Sequence, residues 1–429
     1  MLIREITRSL HHHFPDFFDQ LVSINDPRKK AHYSIQEIVF AGIALFVFKC
    51  GSRNSMDNLR QEEQFSKNYQ KAFGLRLPDL DTVAMVFNSL NENELQAIKK
   101  QLITHLIKRK VLDKFRVNGM HLVAVDGTGL VSFKKRHCDE CLTKTSKNGV
   151  VTYFHNVLEA KIVTSNGFSI SLCTEWIENA NVDYQKQDCE LNAFNRLTDR
   201  LKKEYPRLPI CVCVDGLYPT TRFFSICLAN RWGYIVVLKD DRLSKLWNKI
   251  VRLQHEYIQK KTPDGKEAMV QRCWFSNAIE HNGFTHNWVE LEEERLSTEG
   301  NIIDYLRFVF LTNQPICKNN ALMICQAGRT RWKIEKQGFD QQKNHGYHIS
   351  HKYCRKSVLG LKNFYQCCQI GHLLNQLVEL SVEFRRNLIK KVTIKHLWKC
   401  LVAQLICLDI PQALIQEEPL FRYRSQFIE

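Results

Sequence analysis

The chain has 429 residues, 44% hydrophobic and 25% charged, the balance of a globular protein long enough for two or three domains. No apolar run reaches the roughly 18 residues of a membrane span, residues 38–50 being too short, and no signal-peptide layout opens the sequence, so no membrane partner and a cytoplasmic, nucleoid-associated protein are expected. A net charge of +16 with a pI near 9.1 favours polyanions through phosphate neutralisation and counterion release.

Residues 1–118 read as helical throughout. Residues 10–21 are apolar at helical spacing, Ser34 is placed to cap a helix running to residue 50, and Asp81 to open another. In 92–115 the apolar Leu95, Ile98, Leu102, Leu106 and Ile107 lie beside Lys99, Lys100, Lys108, Arg109 and Lys110. That basic character suits a helical DNA-binding domain or, more blandly, a solvated bundle supporting the next domain.

From residue 119 the pattern becomes α/β. Residues 121–126 read as a buried strand, and 152–164 and 167–176 as a strand pair around Ser165-Asn166-Gly167. Residues 184–205 read as a long polar helix, 210–215 as a second buried strand, 220–230 as a helix and 234–239 as a strand. Three strands, helix, strand, helix, strand fit a mixed sheet whose first and fourth strands are neighbours. Residues 240–303 interrupt this as a β-rich insertion, with 269–276 and 287–292 alternating like strands. Residues 305–311 return to a buried strand and 318–345 are helical. Residues 357–389 form one or two helices with a basic end at Arg385, Arg386, Lys390 and Lys391, and 386–429 make a helical tail.

Val123-Ala-Val-Asp-Gly-Thr128 and Val212-Cys-Val-Asp-Gly-Leu217 share one design. Each is a short apolar strand that brings a carboxylate, Asp126 or Asp215, to its C-terminal edge. Glu335, on the helix of 318–345, supplies a third acid. An Asp before Gly is also an ordinary turn pair, so the combination carries the reading. Three converging carboxylates repel one another, and two Mg²⁺ ions about 3.5–4 Å apart, with Mn²⁺ as a substitute, relieve this while serving in-line displacement at phosphorus. The phosphate-cradling G-x-x-x-x-G-K-S/T loop is absent, as is a Ser-His-Asp set with a nucleophile elbow, which sets aside those two enzyme classes.

Ala124-Val125-Asp126-Gly127-Thr128, Val214-Asp215-Gly216-Leu217-Tyr218 and Arg331-Trp332-Lys333-Ile334-Glu335, followed by Gly338-Phe339, resemble the signatures of bacterial insertion-sequence transposases of the DDE type. The likeness covers roughly residues 119–385, and Leu311-Thr312-Asn313 is similar to that family's strand before the last helix. It is nearest to the branch with a β insertion between the second Asp and the Glu. The resemblance implies an RNase H-like catalytic domain split into 119–239 and 304–385, the insertion 240–303, the DNA-binding domain 1–118 and the tail 386–429. It also implies two Mg²⁺ ions on Asp126, Asp215 and Glu335, and cut-and-paste nicking and strand transfer at terminal inverted repeats. Double-stranded element ends, a target DNA and a homodimer on paired ends are its partners. That branch carries Tyr, Arg, Glu and Lys on the last helix. Arg331, one turn before Glu335, fits and would hold a DNA phosphate. The Tyr position is Gly328 and the Lys position Gln342, with Lys343 next to it able to serve if the helix ends or bends near residues 344–346. Two other readings of the same residues are a catalytically inactive sequence-specific DNA-binding relative and a metal-dependent nuclease outside transposition.

Trp332 and Phe339, two turns apart, are expected to be core residues holding the helix to the sheet, as is Trp232; base stacking is the alternative for the pair. Cys138-Asp-Glu-Cys141 is half a zinc site. His155 and Cys189 are the nearby partners, but the spacing selects neither. The favoured reading is a reduced thiol pair in a basic loop with Lys134, Lys135, Arg136, Lys144 and Lys147, and structural zinc on Cys138 and Cys141 is the alternative. Most of the sixteen cysteines lie in apolar runs, as free thiols do and a secreted disulfide framework does not. Asp188 and Glu190 are expected on a solvated helix face, with an auxiliary metal role as the alternative.

Overall fold

The computed structural model describes residues 2–180, 182–264, 267–355, 357–386, 388, 392–411 and 421–424. Lys390, Lys391 and residues 412–420 and 425–429 of the expected basic end and tail lie outside the described residues.

Helices α1 (Leu2–His13), α2 (Phe17–Val22), α3 (Ile35–Val47), α4 (Arg53–Gln61), α5 (Glu63–Phe73), α6 (Leu80–Phe87) and α7 (Glu92–Lys108) precede the first strand. Ser34 caps α3 in a reciprocal capping box with Glu37. All but one of the residues of α3 are buried, so this helix runs through the core rather than over it. The cap of α6 is Asp79, which accepts from Thr82 N at 2.8 Å; Asp81 instead pairs with Arg53 at the surface. Lys99 is likewise not part of a basic face: it is buried, and its Nζ donates to Ser171 Oγ and Thr174 Oγ1 at 2.9 and 2.8 Å.

The sheet begins with β1 (His121–Phe133), β2 (Leu142–Thr145), β3 (Val151–Val163) and β4 (Ser169–Ile177). Then come α8 (Glu190–Glu204), β5 (Ile210–Val214), α9 (Thr221–Asn230), β6 (Gly233–Val237) and α10 (Ser244–Ile250). Helix α8 starts later than its sequence pattern implies. Residues before it are held irregular because Gln187 Oε1 accepts from Thr143 N and Asp188 Oδ2 from Glu178 N.

Strands β7 (Glu256–Asp264), β8 (Glu267–His281), β9 (Phe284–Leu296) and β10 (Ile302–Thr312) are the β-rich insertion and the strand it returns to. They continue the main sheet, since β10 pairs with β6, and the order is β2-β3-β1-β5-β6-β10-β9-β8-β7 with β4 also on β3. The pairs β1/β5 and β5/β6 are parallel, and the other pairs are antiparallel.

After β10 the chain forms α11 (Ala321–Thr330), a π-helical turn (Ile334–Asp340), α12 (Gln341–Asn344), α13 (Val358–Glu379), α14 (Val382–Arg386) and α15 (Ile394–Cys407). The central sheet is covered on both faces, as parallel strands require. Val123 and Val125 of β1 and Val212 and Val214 of β5 face the large core shared with α3, α7, α8 and α13. Leu122, Ala124, Cys211 and Cys213 face the smaller core under α11. Gly371 lets α13 approach α3 closely, because a Cβ there would stand 2.8 Å from Phe46 Cβ. The large core runs without interruption from Ile3 to Tyr423, so the N-terminal helices, α13 and α15 are packed together. Among the described residues no helix is long and apolar enough to cross a membrane.

Candidate active site

Register and alternation bring the two Asp residues together. Ala124 stands opposite Cys213 across the parallel β1/β5 pair, so Asp126 and Asp215 follow at the next matching step, on the face of Ala124 and Cys213 that α11 covers. β5 stops at Val214 whereas β1 runs on to Phe133, paired only with β3 beyond that point. Asp126 therefore does not end its strand, as the Asp-Gly pair suggests; it sits where β1 loses its neighbour and an edge opens.

The glycine after each Asp has a steric reason. A Cβ on Gly127 would lie 2.8 Å from Glu190 Oε2, and one on Gly216 would lie 2.7 Å from Lys239 Cγ. Glu190, the first residue of α8, thus packs against β1 at Gly127, and its Oε1 accepts from Tyr218 Oη at 2.5 Å. It is not a solvated-face residue. Nothing in its local pattern signals this, since the contact comes from the packing of α8 across the sheet. Asp188 is spent on Arg196, at 2.7 Å.

Arg331 and Glu335 reach the same edge from the segment after α11. Arg331 Nη1 lies 2.9 Å from Glu335 Oε1 and 4.0 Å from Asp126 Oδ2, with the Arg331 side chain 9% exposed and that of Glu335 49%. One guanidinium therefore joins the acid of β1 to the acid of the last helix. The three expected metal ligands do not form a closed cluster: among the described residues, the group holding its ligand atoms within 4.8 Å of one another is His137, Cys138 and His155.

Burial, followed by the charges of Glu335 and Glu190, pushes the Asp126 carboxyl up to about 7, and the Arg331 charge only partly opposes this. Burial also raises the Glu190 carboxyl, with Asp215 adding to the effect and the Tyr218 hydrogen bond opposing it. Asp126, Asp215, Glu190 and Glu335 thus bring carboxylate oxygens to one sheet edge around the Arg331 guanidinium, a ligand chemistry that would suit a hard divalent ion if these side chains closed on one.

Lys343 enters the site by a route the sequence does not disclose. Its Nζ donates to Thr128 Oγ1 at 2.7 Å, on the Asp126 face of β1, while Gln342 is fully buried against Gln369, His372 and Lys161. The cause is the π-turn over Ile334–Asp340, upstream of residues 344–346, which inserts one residue into the helical register. The same insertion separates Trp332 from Phe339. Phe339 is buried, but Trp332 is 51% exposed, so the expectation that both are core is corrected for Trp332; Trp232 is buried as expected. Gly328 packs on the sheet, where a Cβ would stand 2.6 Å from the Phe310 ring, which leaves no room for a tyrosine.

Compared with known proteins, the chain matches no protein-family model and no curated protein.

Proposed function

We propose that this protein is a metal-dependent DNA-cleaving and strand-transferring enzyme, a DDE transposase with an RNase H-like catalytic core, acting at the ends of a mobile element. The observation that carries the reading is the Asp126–Arg331–Glu335 link beside Asp215, at an open sheet edge of a chain whose net charge is +16. Support for the fold comes from the mixed sheet with its two acid-bearing strands adjacent and parallel, and from hairpins inserted between the second Asp and the Glu.

Asp126, Asp215 and Glu335, with Glu190 beside them, would hold Mg²⁺. Bound there, the ions would supply an activated oxygen nucleophile and stabilise the leaving oxygen at phosphorus. The rest falls to the chain itself. Arg331, mostly buried, orients Glu335 and keeps a fixed positive charge at the edge where a phosphate would lie. Lys343, held by Thr128, places an ammonium on the same strand face as Asp126. Trp332, exposed beside Arg331, offers a flat apolar surface to an unpaired base. In this reading the partners are double-stranded element ends, a target DNA and a second protomer.

The test is excision of a marked element bearing the gene's own flanking ends, comparing wild type with Glu335→Ala and Asp215→Ala. Excision by wild type and a loss of about 10²-fold or more in both variants, with gel-shift binding to the ends retained, is the expected result. Undiminished excision in either variant removes that residue from the site. End binding by the wild type without cleavage in any divalent ion would favour an inactive DNA-binding relative.

A further inference from the structure

Away from the sheet edge, the loop between β1 and β2 folds back on β3 around a second set of ligating atoms. Cys138 Sγ lies 3.1 Å from Cys141 Sγ and 3.3 Å from His155 Nε2, and Cys141 Sγ lies 3.4 Å from the same nitrogen. His137 completes the set, since it offers a ring nitrogen within 4.8 Å of the Cys138 and His155 ligand atoms. From these residues we propose that Cys138, Cys141, His155 and His137 bind one zinc ion that fixes the loop between β1 and β2.

The orientation of the two histidines supports this. His137 Nε2 lies 2.7 Å from the Arg355 carbonyl oxygen, so that nitrogen carries the proton and Nδ1 has a free lone pair. His137 Nδ1 is buried and has no hydrogen-bond partner. A ligating histidine that donates its other N–H to a backbone carbonyl is the usual outer arrangement at a zinc centre. The His137 ring is further fixed by stacking on Phe133 at 4.2 Å. His155 aims Nε2 at both sulfurs from within β3, where it is paired with Val131 of β1.

Two simpler accounts fit less well. A disulfide needs the sulfurs at about 2.05 Å, and they are 3.1 Å apart. Thiol–imidazole hydrogen bonding, with one thiol donating to His155 Nε2 and the other to the first sulfur, satisfies both thiols but leaves the buried His137 Nδ1 without a role. Zinc at about 2.3 Å from each sulfur and about 2.0 Å from each nitrogen would use all four groups, the two sulfurs moving apart from 3.1 Å and the His137 nitrogen, now within 4.8 Å of the Cys138 and His155 ligand atoms, closing in. Both thiols give up their protons to solvent as the metal binds. Cys189, exposed at the start of α8, has no part in the set.

The consequence is local order in a basic segment. Lys134, Lys135 and Arg136 are exposed on the loop that the zinc would tie to β3 and, through His137, to Arg355.

The experiment is metal analysis of the full-length protein purified without chelator, with cobalt substitution as the readout of geometry. Wild type is expected to carry about one zinc per chain. Exchanged with cobalt, it should show a thiolate-to-metal charge-transfer band together with the intense visible bands of tetrahedral Co²⁺. The Cys138→Ser/Cys141→Ser variant should lose both, Cys317→Ser (an exposed cysteine elsewhere) neither, and removing the metal should lower Tm. A wild type that holds no zinc after incubation with it and gives no tetrahedral thiolate spectrum overturns the proposal. So does a double variant that binds zinc as wild type does. Should that variant fail to fold, the wild-type stoichiometry and cobalt spectrum decide alone. None of these readouts depends on DNA chemistry, so the zinc site stands or falls apart from the proposed transposase activity.

Discussion

Lys343 Nζ donates a hydrogen bond to Thr128 Oγ1 at 2.7 Å, which fixes its ammonium on the strand face that carries Asp126. In an uninterrupted α-helix the residue seven places after Glu335 would take that position. Here it is the eighth, because the π-turn absorbs one residue. If Lys343 holds a DNA phosphate, Lys343→Ala should weaken end binding and cleavage by about 10–100-fold, the range of one charge-assisted contact. Unchanged cleavage with unchanged binding would remove Lys343 from the proposed site.

The swap Gln342→Lys with Lys343→Gln should not rescue activity, although it restores the spacing of an ideal helix. Gln342 is fully buried, with Lys161 Nζ donating to its Oε1 at 3.3 Å. A second ammonium there would be unpaired and beside a like charge, at a cost of about 3 kcal/mol or more. Urea denaturation should show that loss. A swap variant as stable and active as wild type would mean that the π-turn does not set the register.

The limits of the sequence come from the same physics. Strands β1, β5 and β6, and the existence of the inserted hairpins, were legible because period-two alternation and short apolar runs depend on burial, which composition records. The pairing of Asp126 with Asp215 followed from strand order. The π-turn was not legible, because one extra residue leaves no compositional trace; it displaces Trp332 from the core and hides how Lys343 arrives. Glu190 was invisible for a different reason. Its contact with Gly127 depends on where α8 crosses the sheet, and a helix pattern gives the face of a residue but not its neighbour. Lys99 reads as part of a basic face because a buried lysine bonded to Ser171 and Thr174 has the same local pattern as an exposed one.

Asp126 should make the metal-free protein sensitive to pH. Its carboxyl titrates near 7 in the folded chain, against about 3.9 unfolded, so between those values the native state holds more protons than the unfolded state. Stability therefore falls as pH rises through that window and levels off above it. Asp126→Asn removes this slope and should make the metal-free protein more stable at pH 8 by about 1–2 kcal/mol, a figure reduced for the site's partial exposure. Parallel stability curves for the two proteins would contradict the assignment.

Magnesium affinity should move the other way with pH. An ion needs the ionised carboxylate, so binding displaces the Asp126 proton below about pH 7 and releases none well above it. Calorimetry in buffers of different ionisation enthalpy counts those protons. Affinity should climb up to about pH 7 and then flatten, and an affinity independent of pH would place the ion away from Asp126.

Two glycines give steric tests with different outcomes. Gly127→Ala puts a methyl against the Glu190 carboxylate, and Gly328→Tyr drives a ring into Phe310. The first should leave the fold largely intact, because the end of a side chain can shift, yet it moves Glu190 and should lower metal affinity. The second overpacks the interior between α11 and β10 and should cost about 1–3 kcal/mol or more. If Gly328→Tyr is tolerated and raises cleavage, the tyrosine position is available after all and the helix packs less tightly on the sheet than the Phe310 contact implies.

Trp332 separates a surface role from a structural one. With 51% of it exposed on the turn between Arg331 and Glu335, it contributes little to the core, so Trp332→Ala should leave Tm nearly unchanged. If the residue stacks on an unpaired base at the cleaved end, the same change should weaken binding to a nicked or flared end by about 1–3 kcal/mol. Binding to intact duplex should change less, because the bases there are already stacked on one another. Trp332→Phe, which keeps an aromatic face, should recover much of the loss. Equal weakening on intact and flared DNA would point to a general surface contact, and a large fall in Tm would return Trp332 to the packing role that its sequence pattern suggested.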